Sequence, residues 1–298
     1  MYFLDNYKRG IFNRYRKGMP WPEMFSKDLA AWFGIVVDKM KNGTVKTLLV
    51  YPHYPSRGST IYRIARHLGF QVTNKTKRNS DLAIYWEYNT VRNEFKALER
   101  IEDQQVINLY NRDISKDAVD YAMQEAFGYS TKIDPEKHSG VAVQKSLKNA
   151  VHDGRKVECP VPNEEGFIFQ KFIDSSVNDR EVMDLRIPLM KGVIPFLYLN
   201  YRNNNERFKN VPDRAVLAEN VDDWLNENEK EQLSKFCKVF KFDFGELDVL
   251  RDAVDGKIYI VDANNTPQGP PKHLPENDKK RAVVLLSNAF QRAFIPSD

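Results

Sequence analysis

A short segment near the C-terminus carries the residues that could do chemistry. Two apolar, alternating runs flank Asp255-Gly256, and Asp-Gly between such runs is a strong hairpin signal. The hairpin brings Asp248 towards Asp262 and Asn264, whose side chains share a face because they are two residues apart on a strand. Such oxygens suit Mg²⁺, which completes its shell with water and nucleotide phosphates. The segment predicts a magnesium site for ATP-dependent chemistry; an ordinary loop entry is the alternative interpretation.

Composition indicates a globular protein of enzyme size. The 298 residues are 42% hydrophobic and 29% charged, which is enough for a large core divided into two or three lobes. No run of 18 apolar residues and no signal-peptide pattern occurs, so no transmembrane segment is expected. Cys159 and Cys237 are far apart and lack metal-ligand spacing, which is typical of a reducing compartment. We therefore expect a cytoplasmic protein.

Residues 1–27 mix basic and aromatic side chains, whereas the net charge of +4 does not identify a partner. One interpretation is contact with an anionic membrane surface or a nucleic acid. The other is an amphipathic arm that packs its aromatic rings on the body of the protein. We favour the second because no sustained basic stripe follows. No nucleic-acid partner is expected, and membrane-surface contact remains an alternative.

Beyond residue 45 the pattern alternates strands with helices and then changes to hairpins. Apolar runs predict strands at 46–52, 70–73, 81–86 and 106–109. A helix over 59–68 separates the first two, which indicates parallel βαβ units. A second helix is predicted over 116–127, with Ser115 as N-cap and Gly128 as its end. Further predicted elements are strands at 140–146, 157–159, 166–173, 185–190 and 193–200 and a helix near 222–238.

This order of parts resembles the ATP-grasp superfamily over about residues 46–275. The matching motifs are Ser115-Lys116-Asp117, Val141 to Ser146, Phe167 to Asp174, Asp184-Leu185-Arg186 and the metal hairpin. The resemblance implies an α/β and α+β protein with a Rossmann-like preceding domain and two lobes that clasp ATP. The implied segments are a basic aromatic arm (1–45), the Rossmann-like domain (46–113), a small lobe (114–175) and a large lobe with the metal site (176–298).

The resemblance also assigns residues to the nucleotide. They are Lys116, Lys145, Gln170, Lys171, Phe172, Ile173, Asp184 and Asn210. The two lysines nearest the N-terminus would reach the phosphates as mobile point charges, and residues 170–173 would form the hinge that reads adenine. The loop after Lys145 has one glycine where many members of the family have several. Lys148, Asn149 or His152 would then contact phosphate through side chains.

Arginines and metal ligands complete the implied site. Arg186 and Arg202 would hold the γ-phosphate and an acyl phosphate by bidentate hydrogen bonds. Asp248, Asp262 and Asn264 match the Mg²⁺ ligands of the family. The family usually has glutamate where this chain has Asp262, so the ligand is retracted by one methylene and a second metal would be held more loosely or through water.

The implied activity is that of an ADP-forming carboxylate–amine (or thiol) ligase with ATP and Mg²⁺ as cofactors. Its substrates would be small-molecule, peptide or glycan carboxylates and amines. A kinase that phosphorylates a hydroxyl is an alternative, with Asp184 or His152 as general base. A nucleotide-binding scaffold without turnover is the third. The sequence does not identify the substrates or the oligomeric state.

Overall fold

The computed structural model describes residues 46–77, 79–101, 106–147, 153–208 and 211–295. The N-terminal arm and several predicted phosphate contacts lie outside these ranges: Lys148, Asn149, His152 and Asn210.

The first part of the chain forms a parallel sheet. Its elements are β1 (Thr47–Pro52), α1 (Thr60–His67), β2 (Gln71–Thr73), β3 (Leu82–Trp86) and β4 (Val106–Ile107). The strand order is β2-β1-β3-β4, and every neighbouring pair is parallel. The prediction of parallel βαβ units is therefore confirmed. Leu48, Val50 and Ile84 are fully buried, as expected for strands covered on both faces.

A helix and a three-stranded antiparallel sheet follow. They are α2 (Lys116–Phe127), β5 (Gly140–Ser146), β6 (Arg155–Cys159) and β7 (Phe167–Lys171), and the strand order is β6-β5-β7. The Ser115 hydroxyl accepts a hydrogen bond of 3.3 Å from the backbone N–H of Ala118, which satisfies a donor at the helix start. Gly128 ends the helix with φ 78°, a left-handed conformation that glycine adopts without strain. Both predicted ends of α2 are confirmed.

The largest sheet has five antiparallel strands. They are β8 (Glu181–Met190), β9 (Leu197–Asn203), β10 (Arg214–Ala218), β11 (Phe244–Arg251) and β12 (Ile258–Asn264), with α3 (Glu227–Val239) before β11. The order is β10-β9-β8-β11-β12. β11 and β12 form the predicted hairpin around Gly256, whose φ is 71°. Three predicted starts differ most from the structure: β8 begins at Glu181 rather than 185, β9 begins at Leu197 rather than 193, and α3 begins after Asn226, whose side chain caps it.

The last helix returns to the first sheet. α4 (Glu276–Phe294) packs against α1, and its Leu286 and Phe290 share a core with Ile61 and Ile64. Burial of these side chains joins the C-terminal segment to the parallel sheet, with each large apolar side chain contributing about 1.5–3 kcal/mol. Among the described residues, no helix is long and apolar enough to cross a membrane.

Gly245 is the tightest point of β11. A Cβ added there would overlap the Phe242 ring and lie 2.5 Å from the backbone oxygen of Asn264. We expect Gly245→Ala to destabilise the protein by about 1–3 kcal/mol, because overpacking forces the backbone to shift. Urea unfolding measures this loss. Gly154→Ala is the matched control, because its added Cβ would have no neighbour nearer than 3.4 Å among the residues that the structure describes. Equal stability of the two variants would contradict the packing.

Candidate active site

A cavity of about 750 Å³ lies between the three-stranded and the five-stranded sheets. Every predicted site residue that the structure describes lines this cavity. These residues are Lys116, Lys145, Gln170, Lys171, Phe172, Ile173, Asp184, Arg186, Arg202, Asp248, Asp262 and Asn264. The fold therefore gathers side chains from the two predicted lobes, residues 114–175 and 176–298, into one concave space. A volume of this size is typical of ligand pockets.

The register of the large sheet places charged side chains in a row. Asp248 on β11 lies opposite Asp262 of β12 on one side and opposite Arg186 of β8 on the other. The Arg186 Nε donates to Asp248 Oδ1 over 2.9 Å. The charge of Asp248 raises the pKa of Arg186 further above its ordinary value, so the guanidinium keeps its charge. Asp248, itself a predicted metal ligand, thus holds Arg186 beside the predicted metal site.

A β-bulge turns the predicted metal ligands towards the cavity. Val249 pairs with Ile260, but Asp248 pairs with Asp262, so Val261 is an extra residue in β12. Before the bulge, Ile260 points into the core, and after it Ala263 does. A one-residue shift moves all following side chains to the other face. Without the extra residue, Asp262 and Asn264 would share the core-facing side of Ile260.

Two adjacent carboxylates face two lysines across the cavity. Burial raises the pKa of Asp262 to about 6, and the neighbouring charge of Asp248 raises it as well, while Lys116 and Lys145 lower it. Burial lowers the pKa of Lys145 to about 8, whereas Asp262 and Asp248 favour its charged form. Like charges this close are stabilised by a cation between them. The two sides of the cavity are therefore suited to a cation and to phosphate, respectively.

The oxygen atoms present fit Mg²⁺ only as a partial shell. Among the described residues, no group of three or more His, Cys, Asp or Glu side chains could hold a metal ion. The predicted set has two carboxylates and the amide of Asn264, whose Oδ1 accepts from the Thr266 N–H over 2.9 Å. Mg²⁺ binds proteins through one or two carboxylates and takes its other ligands from water and phosphates. The donor set thus fits a nucleotide-bound Mg²⁺.

Asp184 and Arg202 form a buried ion pair in the cavity wall. Arg202 Nη1 donates to Asp184 Oδ1, and Asn200 Nδ2 donates to the other carboxylate oxygen over 3.3 Å. Burial raises the pKa of Asp184, and the charge of Arg202 opposes this shift. Both oxygens of Asp184 are therefore engaged by protein donors, and Arg202 is oriented by the same pair.

The predicted hinge combines a side-chain network with backbone hydrogen bonds to residues 131–133. Lys171 Nζ lies 2.8 Å from Asp252 Oδ2, 3.0 Å from Asp255 Oδ2 and 2.9 Å from the Tyr259 hydroxyl. This side chain therefore joins β7 to the hairpin, and the Lys171 backbone N–H donates to the Thr131 carbonyl over 2.6 Å. Gln170 donates to the Thr131 hydroxyl over 2.7 Å.

The cavity also has charged lining residues that were not in the predicted set of site residues. Phe172 lies between two cations, with Lys156 Nζ 4.2 Å and Arg207 Cζ 4.6 Å from its ring centre. Arg207 and Glu246 also line the cavity. Burial raises the pKa of Glu246 to about 8. The signal for Glu246 was present, because it lies two residues before Asp248 and therefore on the same strand face.

The comparisons with solved structures give the fold. No protein-family model matches the sequence, and no curated protein sequence matches it significantly. The D-alanine–D-alanine ligase of Bacillus anthracis complexed with ATP has a similar structure, with TM-score 0.52, 12% identity, and coverage of 84% of this chain and 95% of that chain. The structure of the ATP-grasp ligase PsnB complexed with minimal precursor has TM-score 0.51 and 11% identity, and the match covers 84% of this chain and 99% of that chain.

A second PsnB structure, with a phosphomimetic variant of the precursor, Mg and ADP, has TM-score 0.51 and 12% identity and covers 85% of this chain and 99% of that chain. The structural similarity establishes the fold, but sequence identities this low leave the activity open. The protein has the mixed α/β ATP-grasp fold, which confirms the fold that its motifs predicted.

Proposed function

We propose that this protein is an ATP-dependent, ADP-forming carboxylate–amine ligase that works through an acyl phosphate with Mg²⁺. One observation carries the proposal: two lysines face a pair of carboxylates, with Arg186 beside them, in one cavity of an ATP-grasp fold. In the transition state of phosphoryl transfer, negative charge is spread over the phosphoryl oxygens. The transfer depends on positioning the reactants and neutralising that charge. The cavity offers positive groups from both of its sides.

Each residue has a proposed part. Lys116 and Lys145 would bind the ATP phosphates, and the backbone of residues 170–173 would bind adenine. Asp248, Asp262 and Asn264 would hold Mg²⁺, which when bound supplies positive charge to the phosphate oxygens. Arg186 and Arg202 would hold the acyl phosphate after transfer. The proposal needs no general base for the first step, because a carboxylate is already ionised at neutral pH.

The kinase alternative lacks support from this site. It needs a general base near the γ-phosphate, and both Asp184 oxygens already accept hydrogen bonds from Arg202 and Asn200. His152 lies outside the described residues.

Because PsnB was solved with a precursor and another neighbour is a D-alanine–D-alanine ligase, we propose peptide or amino-acid-like carboxylates and amines as the first substrates to try, before glycans. The use of ATP and the two free cysteines fit a cytoplasmic location.

Hydroxylamine provides a test that does not require the natural acceptor. It attacks any acyl phosphate and gives a coloured iron complex of the hydroxamate. We expect the protein, MgATP, hydroxylamine and a panel of carboxylates to give hydroxamate and ADP in equal amounts for the accepted acids. Lys145→Ala is the inactive control. Phosphorylation of a hydroxyl compound without hydroxamate would contradict the ligase and support a kinase, and nucleotide binding without ADP would indicate the scaffold.

A further inference from the structure

Glu246 is a buried acid that borders the cavity. Its side chain is 4% exposed and lines the cavity beside Asp248. Its Oε1 is fully buried and has no hydrogen-bond partner among the residues that the structure describes. Leaving a buried polar atom without a partner costs about 1–3 kcal/mol, and more for a charged group. This cost is removed when a bound ligand supplies the missing hydrogen-bond donor.

Arg186, the cation beside Glu246, is hydrogen-bonded to Asp248. Arg186 Nε is 3.9 Å from Glu246 Oε2 but 2.9 Å from Asp248 Oδ1. The closer contact has hydrogen-bond geometry and the longer one does not. Glu246 therefore forms an ion pair with Arg186 but receives no hydrogen bond from it. The carboxylate keeps hydrogen-bonding capacity for a ligand in the cavity that it lines.

The neighbours of Glu246 are polar and also incomplete. The Tyr198 hydroxyl is buried and has no hydrogen-bond partner within the described part of the chain, whereas the buried Thr60 hydroxyl lies near the Glu246 carboxylate and lowers its pKa. Tyr198 lies close enough that the Glu246 charge adds to the effect of burial in raising its pKa. Thr60 begins α1, so the cluster lies where the large sheet meets the parallel-sheet region. A carboxylate and a hydroxyl with incomplete partners in one place indicate a binding position rather than an isolated packing fault.

Glu246 does not extend the proposed metal site. No three acidic, histidine or cysteine side chains among the described residues are placed to hold one ion, so Glu246, Asp248 and Asp262 do not form such a group. Two residues along a strand separate Glu246 from Asp248 by about 7 Å. A ligand at Glu246 would therefore lie next to the phosphoryl-transfer position and not in it.

The cavity next to Glu246 has room for the body of a substrate. Tyr88, 47% exposed, and Gln268 line the same space. The Tyr88 ring stacks on His53 with centroids 5.1 Å apart and an interplanar angle of 12°, which fixes its orientation. Tyr88 follows β3, and ligands of parallel sheets bind beyond the carboxyl ends of the strands. Tyr88 and Gln268 thus give the cavity a wall suited to a second substrate.

We propose that Glu246 binds a positively charged group of the acceptor substrate, so that the acceptor is recognised as a cation. The inference rests on the proposed ligase function, because that function supplies the acceptor. A buried carboxylate is stabilised by an opposite charge that also donates hydrogen bonds. An anionic group at this place would meet the same carboxylate and be repelled. Glu246 therefore selects the charge of the acceptor.

Methylammonium is the minimal probe, because it carries the charge and has almost no body. Saturation-transfer NMR on the full chain would compare methylammonium with methanol and formate at equal ionic strength. We expect saturable binding of methylammonium alone, weakened at least tenfold by Glu246→Gln. Asp179→Asn, at an exposed carboxylate, is the control and should bind methylammonium as the wild type does. Glu246→Asp keeps the charge and should retain part of the binding.

Thermal unfolding without ligand separates binding from a structural role. If Glu246 is kept for a substrate, Glu246→Gln should unfold at the same or a higher temperature, because it removes a buried acid whose charge Arg186 only partly offsets. A lower unfolding temperature with unchanged methylammonium binding would overturn the proposal, as would equal binding of all three probes or no binding of methylammonium. MgATP stabilisation is measured in parallel: its absence from the wild type would refute the proposed function, whereas its presence without methylammonium binding would refute only the role of Glu246.

Discussion

Replacing Asp262 by asparagine is expected to lower Mg²⁺-dependent ADP formation by about 10²–10³-fold while leaving the fold intact. The change keeps the shape of the side chain but removes the charge that lies next to Asp248. A metal-bound phosphate needs that charge, and removing one preorganised electrostatic group at a transfer site has an effect of this size. Hydroxamate formation at increasing Mg²⁺ concentrations measures the loss and shows whether more metal restores the rate.

The control for this variant is Asp179→Asn, which removes an equal charge from an exposed turn. It should keep the wild-type rate and the wild-type Mg²⁺ dependence. The unfolding temperature of both variants should stay near that of the wild type. An Asp262→Asn protein that is active with normal metal dependence would remove the hairpin from the site.

Lys145→Ala is expected to weaken MgATP binding by about 10- to 100-fold. Lys145 is recessed in the cavity and faces Asp262 and Asp248, so its ammonium is placed between the carboxylates and the phosphates. A hydrogen bond to a charged group contributes about 1.5–3 kcal/mol, and each 1.4 kcal/mol is tenfold in affinity. Isothermal titration calorimetry with MgATP measures the change in Kd.

Lys235→Ala is the matched control, because this lysine lies on the exposed face of α3. Its MgATP affinity should equal that of the wild type. Equal affinities of Lys145→Ala and Lys235→Ala would show that the nucleotide phosphates lie elsewhere. Loss of affinity in both would indicate a general charge effect, which a salt titration would reveal.

Local sequence signals predicted the elements that carry the site. Asp255-Gly256 located the hairpin, and Ser115 and Gly128 located both ends of α2. These features are set by residues within a few positions of one another, where turn and capping chemistry acts. The same locality explains why Lys116 and the hairpin could be named before the structure was known.

Features that depend on distant partners were not predicted. The bulge at Val261 requires knowledge of how β12 pairs with β11, and the contact of Arg186 with Asp248 requires the pairing of β8 with β11. The packing of α4 on α1 joins residues more than 200 positions apart. Periodicity within one segment does not contain such pairings, because several partners could satisfy the same apolar face.

The most direct test of the central claim is the unfolding temperature of the wild-type protein titrated with MgATP, with MgADP and with ATP plus a chelator. A bound nucleotide stabilises the folded protein by about 2.7 kcal/mol when its free concentration is one hundred times Kd. We predict stabilisation that rises with MgATP and MgADP, requires Mg²⁺, and is weakened in Lys145→Ala and Asp262→Ala. No stabilisation of the wild type by any nucleotide would contradict the proposed ATP site.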